Sequence, residues 1–161
     1  MTAQASERLI YAGKEIPIFS NPLATYIRQS GIKFESPTTA NWRGYVGTWE
    51  IKGAPETGQR LYLVGIKAHK TYEEILELTD LFPDSPNGVF AHWYSGTLRC
   101  PQGNRVKYVH MGYASKYEYE LFMEFKQGVL VSQYAKHNPP EEPKTYAPKD
   151  IPSFLRRQND L

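Results

Sequence analysis

The chain has 161 residues, of which 40% are hydrophobic and 22% charged, and its formal net charge is +2. This length and hydrophobic content fit one domain with one buried core and exclude a chain that is disordered throughout. The small net charge does not by itself indicate a nucleic-acid-binding protein, and the single cysteine, Cys100, excludes an intramolecular disulfide. The polar start of the chain lacks the apolar core of a signal peptide, and no apolar stretch is long enough to span a bilayer. We therefore expect a cytoplasmic protein that does not enter a membrane.

The first half of the chain predicts two β-hairpins and a short helix. Residues 8–11 and 15–19 read as strands around an Ala-Gly-Lys turn. Residues 21–31 predict a helix, with Asn21-Pro22 at its start and Gly31 at its end. Residues 45–51 and 60–66 predict the clearest hairpin. Its first strand alternates in polarity, and its second is apolar on both faces, as in a central strand.

The second half predicts a second helix and a meander of strands. Thr71 and Glu74 form a capping-box pattern that opens a helix over 71–82. Strands are expected over 89–99 and 105–113, joined by a turn at 101–104, and then over 117–125 and 129–134. In the strand over 117–125, alternation assigns the odd-numbered residues to one face and Glu118, Glu120 and Glu124 to the other.

These elements define an α+β fold: an antiparallel sheet, either a meander or partly rolled, with two short α-helices. We expect a single domain over residues 1–137. Residues 138–161 contain five prolines and no alternation, so they predict an extended C-terminal tail.

An acid-free stretch predicts an anion-binding surface. Residues 85–117 contain no Asp or Glu, while basic and aromatic residues interleave there. On a sheet, this pattern is typical of a site for a nucleotide or single-stranded nucleic acid. The alternative is chance, because with 17 acidic residues in 161 an acid-free run of this length also arises at random. The candidate anion-binding residues are Tyr94, His92, Arg99, Arg105, Lys107 and His110. A turn at 101–104 would bring Arg99 opposite Arg105.

The same stretch permits an enzyme hypothesis centred on His92, Ser95 and His110, because such side chains serve acid–base or nucleophilic catalysis. No elbow motif surrounds Ser95, and no acidic partner is evident for either histidine. Two half-buried histidines with hydrogen-bond partners are the simpler interpretation, so the sequence leans against an enzyme. The four histidines and Cys100 lack metal-ligand spacing, and no phosphate-binding glycine loop is present, so we expect no metal and no cofactor.

Two further regions predict a protein-binding surface. Trp42 and Trp49 lie seven residues apart, so we expect them on opposite faces, and a Trp beside an Arg has the composition of an interface anchor. An aromatic strand packed under the first helix is the alternative. The acidic face of the second predicted helix is either solvated or attractive to a basic partner protein. The candidate partner-binding residues are Trp42, Arg43, Tyr45, Glu73, Glu77 and Asp80.

Three motifs carry a family resemblance. Trp-Arg-Gly-Tyr-x-Gly-x-Trp-Glu-Ile at 42–51, Tyr-Ser-Gly-Thr-Leu-Arg at 94–99 and Tyr-Val-His-Met-Gly-Tyr at 108–113 resemble small bacterial and mobile-element hypothetical proteins with no known activity. The resemblance covers residues 9–134 and implies a small accessory protein of defence, counter-defence or toxin immunity. The leading hypothesis is accordingly a non-catalytic protein that binds a partner protein in an immunity or inhibitor role. A nucleotide or nucleic-acid binder and a small enzyme are the alternatives, and the oligomeric state stays open.

Overall fold

The residues that the computed structural model describes are 3–107, 113 and 115–139, with the backbone alone for 103–107. They form a mixed, mostly antiparallel β-sheet with two helices, which agrees with the predicted α+β class at a coarse level. The strands are β1 (Glu7–Tyr11), β2 (Lys14–Ile18), β3 (Tyr45–Lys52), β4 (Arg60–His69), β5 (Ile75–Leu76), β6 (Val89–Phe90), β7 (Gly96–Lys107), β8 (Lys116–Lys126) and β9 (Val129–His137). The helices are α1 (Ala24–Ser30) and α2 (Leu78–Leu81).

The strand order is β2-β1-β3-β4-β9-β8-β7, and the short strands β5 and β6 pair with β4. One pairing departs from the predicted antiparallel sheet, because β1 and β3 run parallel, with Leu9 opposite Trp49. The chain between them forms β2, α1 and the loop 31–44. Such a long crossover is what two parallel neighbours require.

Three local predictions from the sequence are confirmed. The hairpin of β1 and β2 turns at Ala12 (φ 52°) and Gly13 (φ 78°), and the hairpin of β8 and β9 turns at Gln127 (φ 48°) and Gly128 (φ 81°). Both turns have two successive positive φ angles, as type I′ hairpin turns require. The hairpin of β3 and β4 lies where the sequence placed it.

The two edges of this sheet meet, so the sheet is rolled. The Phe19 amide donates to the Arg99 carbonyl at 2.7 Å. The Ser20 hydroxyl donates to the Thr97 carbonyl at 3.3 Å and accepts from the Arg99 amide at 3.2 Å. We call this line of contact between the end of β2 and β7 the seam.

The predicted helix over 21–31 is present but begins later, at Ala24, because residues 21–24 form a turn in which the Ala24 amide donates to the Asn21 carbonyl. Gly31 ends it in the left-handed conformation (φ 73°), as expected.

The predicted helix over 71–82 is wrong. The Thr71 hydroxyl does accept from the Glu74 amide, but the chain then turns back, and Ile75 pairs with His69. Strand pairing with the end of β4 overrides the local helix signal, and within the described residues only the four-residue α2 remains of it.

The predicted hairpin of 89–99 with 105–113 is also wrong. Strand β7 runs straight through Pro101 and pairs with β8, so Arg99 lies opposite Phe122, and Arg105 opposite Tyr117. Proline is tolerated there because β7 is at the end of the strand order, where a missing amide donor costs little. Residues 108–112 lie outside the described residues.

The core lies between the inward faces of the rolled sheet and includes the fully buried Leu9, Trp49, Leu63, Leu98, Met123 and Phe125. The alternation predicted for 117–125 fails at one point, because Glu120 is 4% exposed and Tyr119 is 49% exposed. Of the predicted tail, only Asn138 and Pro139 are described. No helix in the described part of the chain is long and apolar enough to cross a bilayer.

Candidate functional site

Arg99, a candidate anion-binding residue, forms a structural ion pair with Glu120. Its Nε donates to Glu120 Oε1 at 2.6 Å, one terminal nitrogen donates to the Ser115 carbonyl at 2.6 Å, and the other donates to the Tyr113 carbonyl. The second oxygen of Glu120 accepts from the Asn138 amide group at 3.1 Å. All three guanidinium nitrogens therefore donate to the protein itself, which explains why Glu120 is buried and gives Arg99 a structural role.

The other candidate anion-binding residues are not gathered into one site by the described structure. Tyr94 packs against Phe125, and burial raises the pKa of its hydroxyl to about 12. His92 is exposed and lies in a different groove, described below. The side chains of Arg105 and Lys107, and all of His110, lie outside the described residues.

Two candidate partner-binding residues lie inside the protein. Tyr45 is buried, and Arg43 donates to Glu7 Oε2 at 2.8 Å. Glu7 is fully buried, and its carboxylate also accepts from the Gly47 amide at 2.6 Å and from the Trp49 indole at 3.3 Å. Burial raises the pKa of Glu7, although the guanidinium of Arg43 opposes this shift. Arg43 and Tyr45 are thus part of a buried polar cluster, and Trp42 alone of this trio is exposed, at 53%.

The acidic candidates are divided between two elements: Glu73 lies in the exposed turn after β4, and Glu77 and Asp80 lie at the start of α2. The turn after β4 is closed by the Lys70 amide, which donates to the Glu74 carbonyl at 3.0 Å. This turn presents Tyr72, which is 70% exposed, and leads into Ile75, which is 50% exposed. Five acidic residues follow Tyr72 in the sequence, and all five are exposed: Glu73, Glu74, Glu77, Asp80 and Asp84.

The loop that carries Trp42 attaches to the same end of β4. The His69 amide donates to the Gly44 carbonyl at 2.7 Å, and the Glu35 amide donates to the His69 carbonyl at 2.8 Å. Gly44 has φ 79°, and a Cβ on it would lie 2.6 Å from the Glu35 carbonyl oxygen, so only glycine permits this approach. We define the acidic–aromatic surface as Trp42, Tyr72 and Ile75 with Glu35, Glu73, Glu74, Glu77 and Asp80.

A second exposed feature lies at the opposite end of β4. An open groove of about 440 Å³ is lined by Arg60, Phe90, His92, Lys126, Gln127 and Val129, and we call it the basic groove. Of its lining residues, only His92 belongs to a predicted site. The sequence analysis missed the others because Arg60 and Lys126 are 66 positions apart and only strand pairing brings them together. The sequence does show basic residues beside the β3–β4 turn and the β8–β9 turn, and these could have indicated the groove.

The turn that carries Lys126 is fixed by three hydrogen bonds. The Ser95 hydroxyl accepts from the Gln127 amide at 2.9 Å. The Gly128 amide donates to the Tyr94 carbonyl at 2.8 Å, and the Gly128 carbonyl accepts from the Leu61 amide at 2.8 Å. The Ser95 hydroxyl thus serves the turn, and no hydrogen bond among the described residues links His92 to Ser95 or to a carboxylate. This arrangement offers no support for the enzyme hypothesis.

Metal and thiol chemistry have no described site. Within residues 3–107, 113 and 115–139, no group of three or more His, Cys, Asp or Glu side chains is placed to hold a metal ion. Cys100 is buried, and burial raises the pKa of its thiol to about 12, so the reactive thiolate is scarce at neutral pH.

The fold and its surfaces define a rolled, mixed β-sheet protein with an acidic–aromatic surface at one end of its central strand and a basic groove at the other. Comparison of the chain with protein-family models, curated proteins and solved structures finds no match. The resemblance to mobile-element proteins therefore stays a prediction.

Proposed function

We propose that this chain is a non-catalytic binding protein that engages a partner protein through its acidic–aromatic surface. One observation supports the proposal above the others. Two segments far apart in sequence meet at His69 and expose Trp42, Tyr72 and Ile75 among carboxylates. Trp and Tyr are the side chains most enriched at the energetic centres of protein interfaces, because they bury a large area at a small entropic cost.

The charge of this surface specifies the chemistry of the partner. Five carboxylates belong to it, and the exposed lysines nearby in sequence are Lys33, Lys67 and Lys70. Lys70 is already within 4.0 Å of Glu74, so the surface is acidic overall. Glu77 and Asp80 each accept a backbone amide at the start of α2, which fixes their positions while leaving them exposed. The complementary partner is a protein with a basic surface and an apolar recess.

We propose that this binding serves an immunity, inhibitor or counter-defence role. A protein that covers a basic surface on its partner competes with the anionic substrate which that surface would otherwise attract. Binding alone then suffices for inhibition, and no catalytic group is needed. This role agrees with the family resemblance in the sequence motifs.

The test is recovery of a stoichiometric complex from the original host, measured by native mass spectrometry on tagged variants. Tyr72→Ala and Glu73→Lys are the test variants, because both side chains are exposed and neither forms a described hydrogen bond. We expect each to weaken the complex by about tenfold or more. Glu56→Lys is the matched control, since Glu56 is an exposed acid in the loop at the other end of β4 and should leave the complex intact.

The salt dependence supplies a second readout. The association rate of the recovered pair should fall as salt rises, and Glu73→Lys should reduce that dependence. A complex that survives both Tyr72→Ala and Glu73→Lys, or one lost equally in Glu56→Lys, would exclude the acidic–aromatic surface as its binding site.

A further inference from the structure

Strand pairing places three cations in a row along the basic groove, and two of them, Arg60 and Lys126, line it. Lys52 lies opposite Arg60, Arg60 opposite Val129, and Val129 opposite Lys126. Residues directly opposite one another in neighbouring strands share a face of the sheet, so the three cations project on the same side. With neighbouring strands about 4.8 Å apart, the row spans about 14 Å between its terminal Cα atoms.

The cations of this row are not neutralised within the described part of the chain. Lys52, Arg60 and Lys126 are exposed, and none is in an ion pair there, whereas Arg8 and Lys70 each have a carboxylate partner. The nearest acids along the strands are Glu50 and Glu124, each two residues from a cation. Glu124 accepts a hydrogen bond from the Ser132 hydroxyl at 3.1 Å. The row therefore presents a positive potential to an anionic ligand.

Aromatic rings form the wall beside this row. Tyr62 and Phe90 pair across strands with ring centroids 5.7 Å apart, and the His92 ring is 6.4 Å from Phe90. The Arg60 guanidinium lies 5.5 Å from the Phe90 centroid, and the Lys52 ammonium lies 5.0 Å from the Tyr62 centroid. Both rings are only half-buried, so cations and partly exposed aromatic faces alternate over a short distance.

The groove is also built on fixed elements. Lys126 is on the turn held by Ser95, Tyr94 and Leu61, and a Cβ at Gly128 would lie 2.6 Å from the Phe90 ring, so the turn packs directly on the aromatic wall. Its volume of about 440 Å³ lies within the range of small-molecule sites. A preformed arrangement of this kind reduces the entropic cost of binding.

We propose that the basic groove binds a nucleotide, with its phosphate on Arg60 and Lys126 and its base against Phe90. Arg and Lys bind phosphate oxygens through charge-assisted hydrogen bonds, and a nucleobase stacks on an aromatic face. A free nucleotide and a nucleotide unit of a single strand share this chemistry. An acidic peptide would use the cations but leave the aromatic wall unused. The site is separate from the acidic–aromatic surface and does not depend on its function.

The experiment is calorimetric titration of the full chain at low salt with five probes: AMP, adenosine, inorganic phosphate, an octameric oligo-dT and a hexaglutamate peptide. The variants Arg60→Gln and Lys126→Gln remove the phosphate contacts, and both side chains are exposed, so the fold should be retained, as a thermal melt will verify. Lys67→Gln is the matched control, because Lys67 is an exposed cation on the same strand about 23 Å from Arg60.

We expect AMP to bind more tightly than adenosine or phosphate, and each groove variant to weaken binding about tenfold or more while the control leaves it unchanged. If AMP binds, the site takes free nucleotides; if only oligo-dT binds with the same variant pattern, the site takes a strand. The proposal is overturned if neither binds, if phosphate or a hexaglutamate peptide binds as well as AMP, or if Lys67→Gln weakens binding as much as Arg60→Gln does.

Discussion

Glu7 is an acidic side chain with no exposed surface, and three donors converge on it: Arg43, the Gly47 amide and the Trp49 indole. Removing a charge from water costs several kcal/mol, which its partners must offset. The cluster also restricts its neighbours, because a Cβ at Gly47 would lie 2.9 Å from a Glu7 carboxylate oxygen. A glycine in the middle of β3 is therefore explained by the buried acid that it faces.

The pH dependence of stability provides a test of this cluster. Burial raises the folded-state pKa of Glu7 above its ordinary value of 4.5, so the folded chain binds a proton more readily than the unfolded chain between these two values. The stability that Glu7 contributes is fully present below the ordinary pKa and is lost as pH rises through the folded-state pKa. Glu7→Gln lacks this dependence.

Urea unfolding of both proteins should therefore show that the native chain gains stability relative to Glu7→Gln as the pH falls from the alkaline side toward 4.5. A shift in the opposite direction would mean that Arg43 outweighs burial and holds the carboxylate ionised.

At the scale of single residues, the sequence does not predict which charged side chains are buried and which partners they bind. The alternation over 117–125 assigns Glu120 to the solvated face, and nothing near it in sequence reveals that Arg99 pairs with it from β7. The same holds for Glu7 and Arg43, which are 36 residues apart. Local periodicity indicates which face of a strand a residue occupies. It cannot indicate a buried ion pair, because the two partners belong to different elements.

Turns are where the sequence predicts an element best, because two residues with positive φ require particular side chains. In the turns of β1–β2 and β8–β9, the second position follows this rule with Gly13 and Gly128, whereas the first is held by Ala12 and Gln127 rather than by the favoured Asn or Asp. Helices are predicted less securely. The pattern over 71–82 satisfies a capping box at Thr71, yet β5 pairs with the end of β4 there, so tertiary pairing decides the outcome.

The two turns form a matched pair for mutation. Gly13 and Gly128 have nearly the same φ, at 78° and 81°, but a Cβ at Gly13 would meet nothing within 4 Å, whereas one at Gly128 would lie 2.6 Å from the Ala91 carbonyl oxygen. Gly13→Ala should cost about 1 kcal/mol for the left-handed conformation alone. Gly128→Ala should cost at least about 1 kcal/mol more, because the turn must also move away from β6.

Chemical denaturation of both variants measures the difference. Nucleotide binding at the basic groove should weaken in Gly128→Ala and not in Gly13→Ala. If both variants lose the same stability, the turn at Gly128 can move away from Ala91 without a measurable cost in free energy.

At the scale of the whole molecule, composition and local pattern predict the α+β class and most hairpins, but not how the sheet is assembled. The parallel pairing of β1 with β3 and the run of β7 through Pro101 both depend on which strands become neighbours. The basic groove is the functional consequence of that assembly. Its cations, Arg60 and Lys126, come from β4 and β8, so no short window of sequence contains both.

The seam is a short closure of this sheet. Strand β4 pairs with β3 along most of its length, whereas the hydrogen bonds of the seam involve the Phe19 amide, the Arg99 amide and the Ser20 hydroxyl. Ser20→Ala should cost about 1 kcal/mol and speed exchange of the Arg99 amide about fivefold. Ser30→Ala is the control, because the Ser30 hydroxyl bonds only locally, to the Ile27 carbonyl of α1. Unchanged exchange at Arg99 in Ser20→Ala would show that the hydroxyl does not hold the seam.

A sheet closed in this way has two levels of opening. Deuterium should reach the Phe19 and Arg99 amides through brief local separations of β2 from β7, while the amides of β4 exchange only when the whole domain unfolds. The rolled sheet is then a curved surface with a low-energy opening along one side, so water can enter between β2 and β7 without global unfolding.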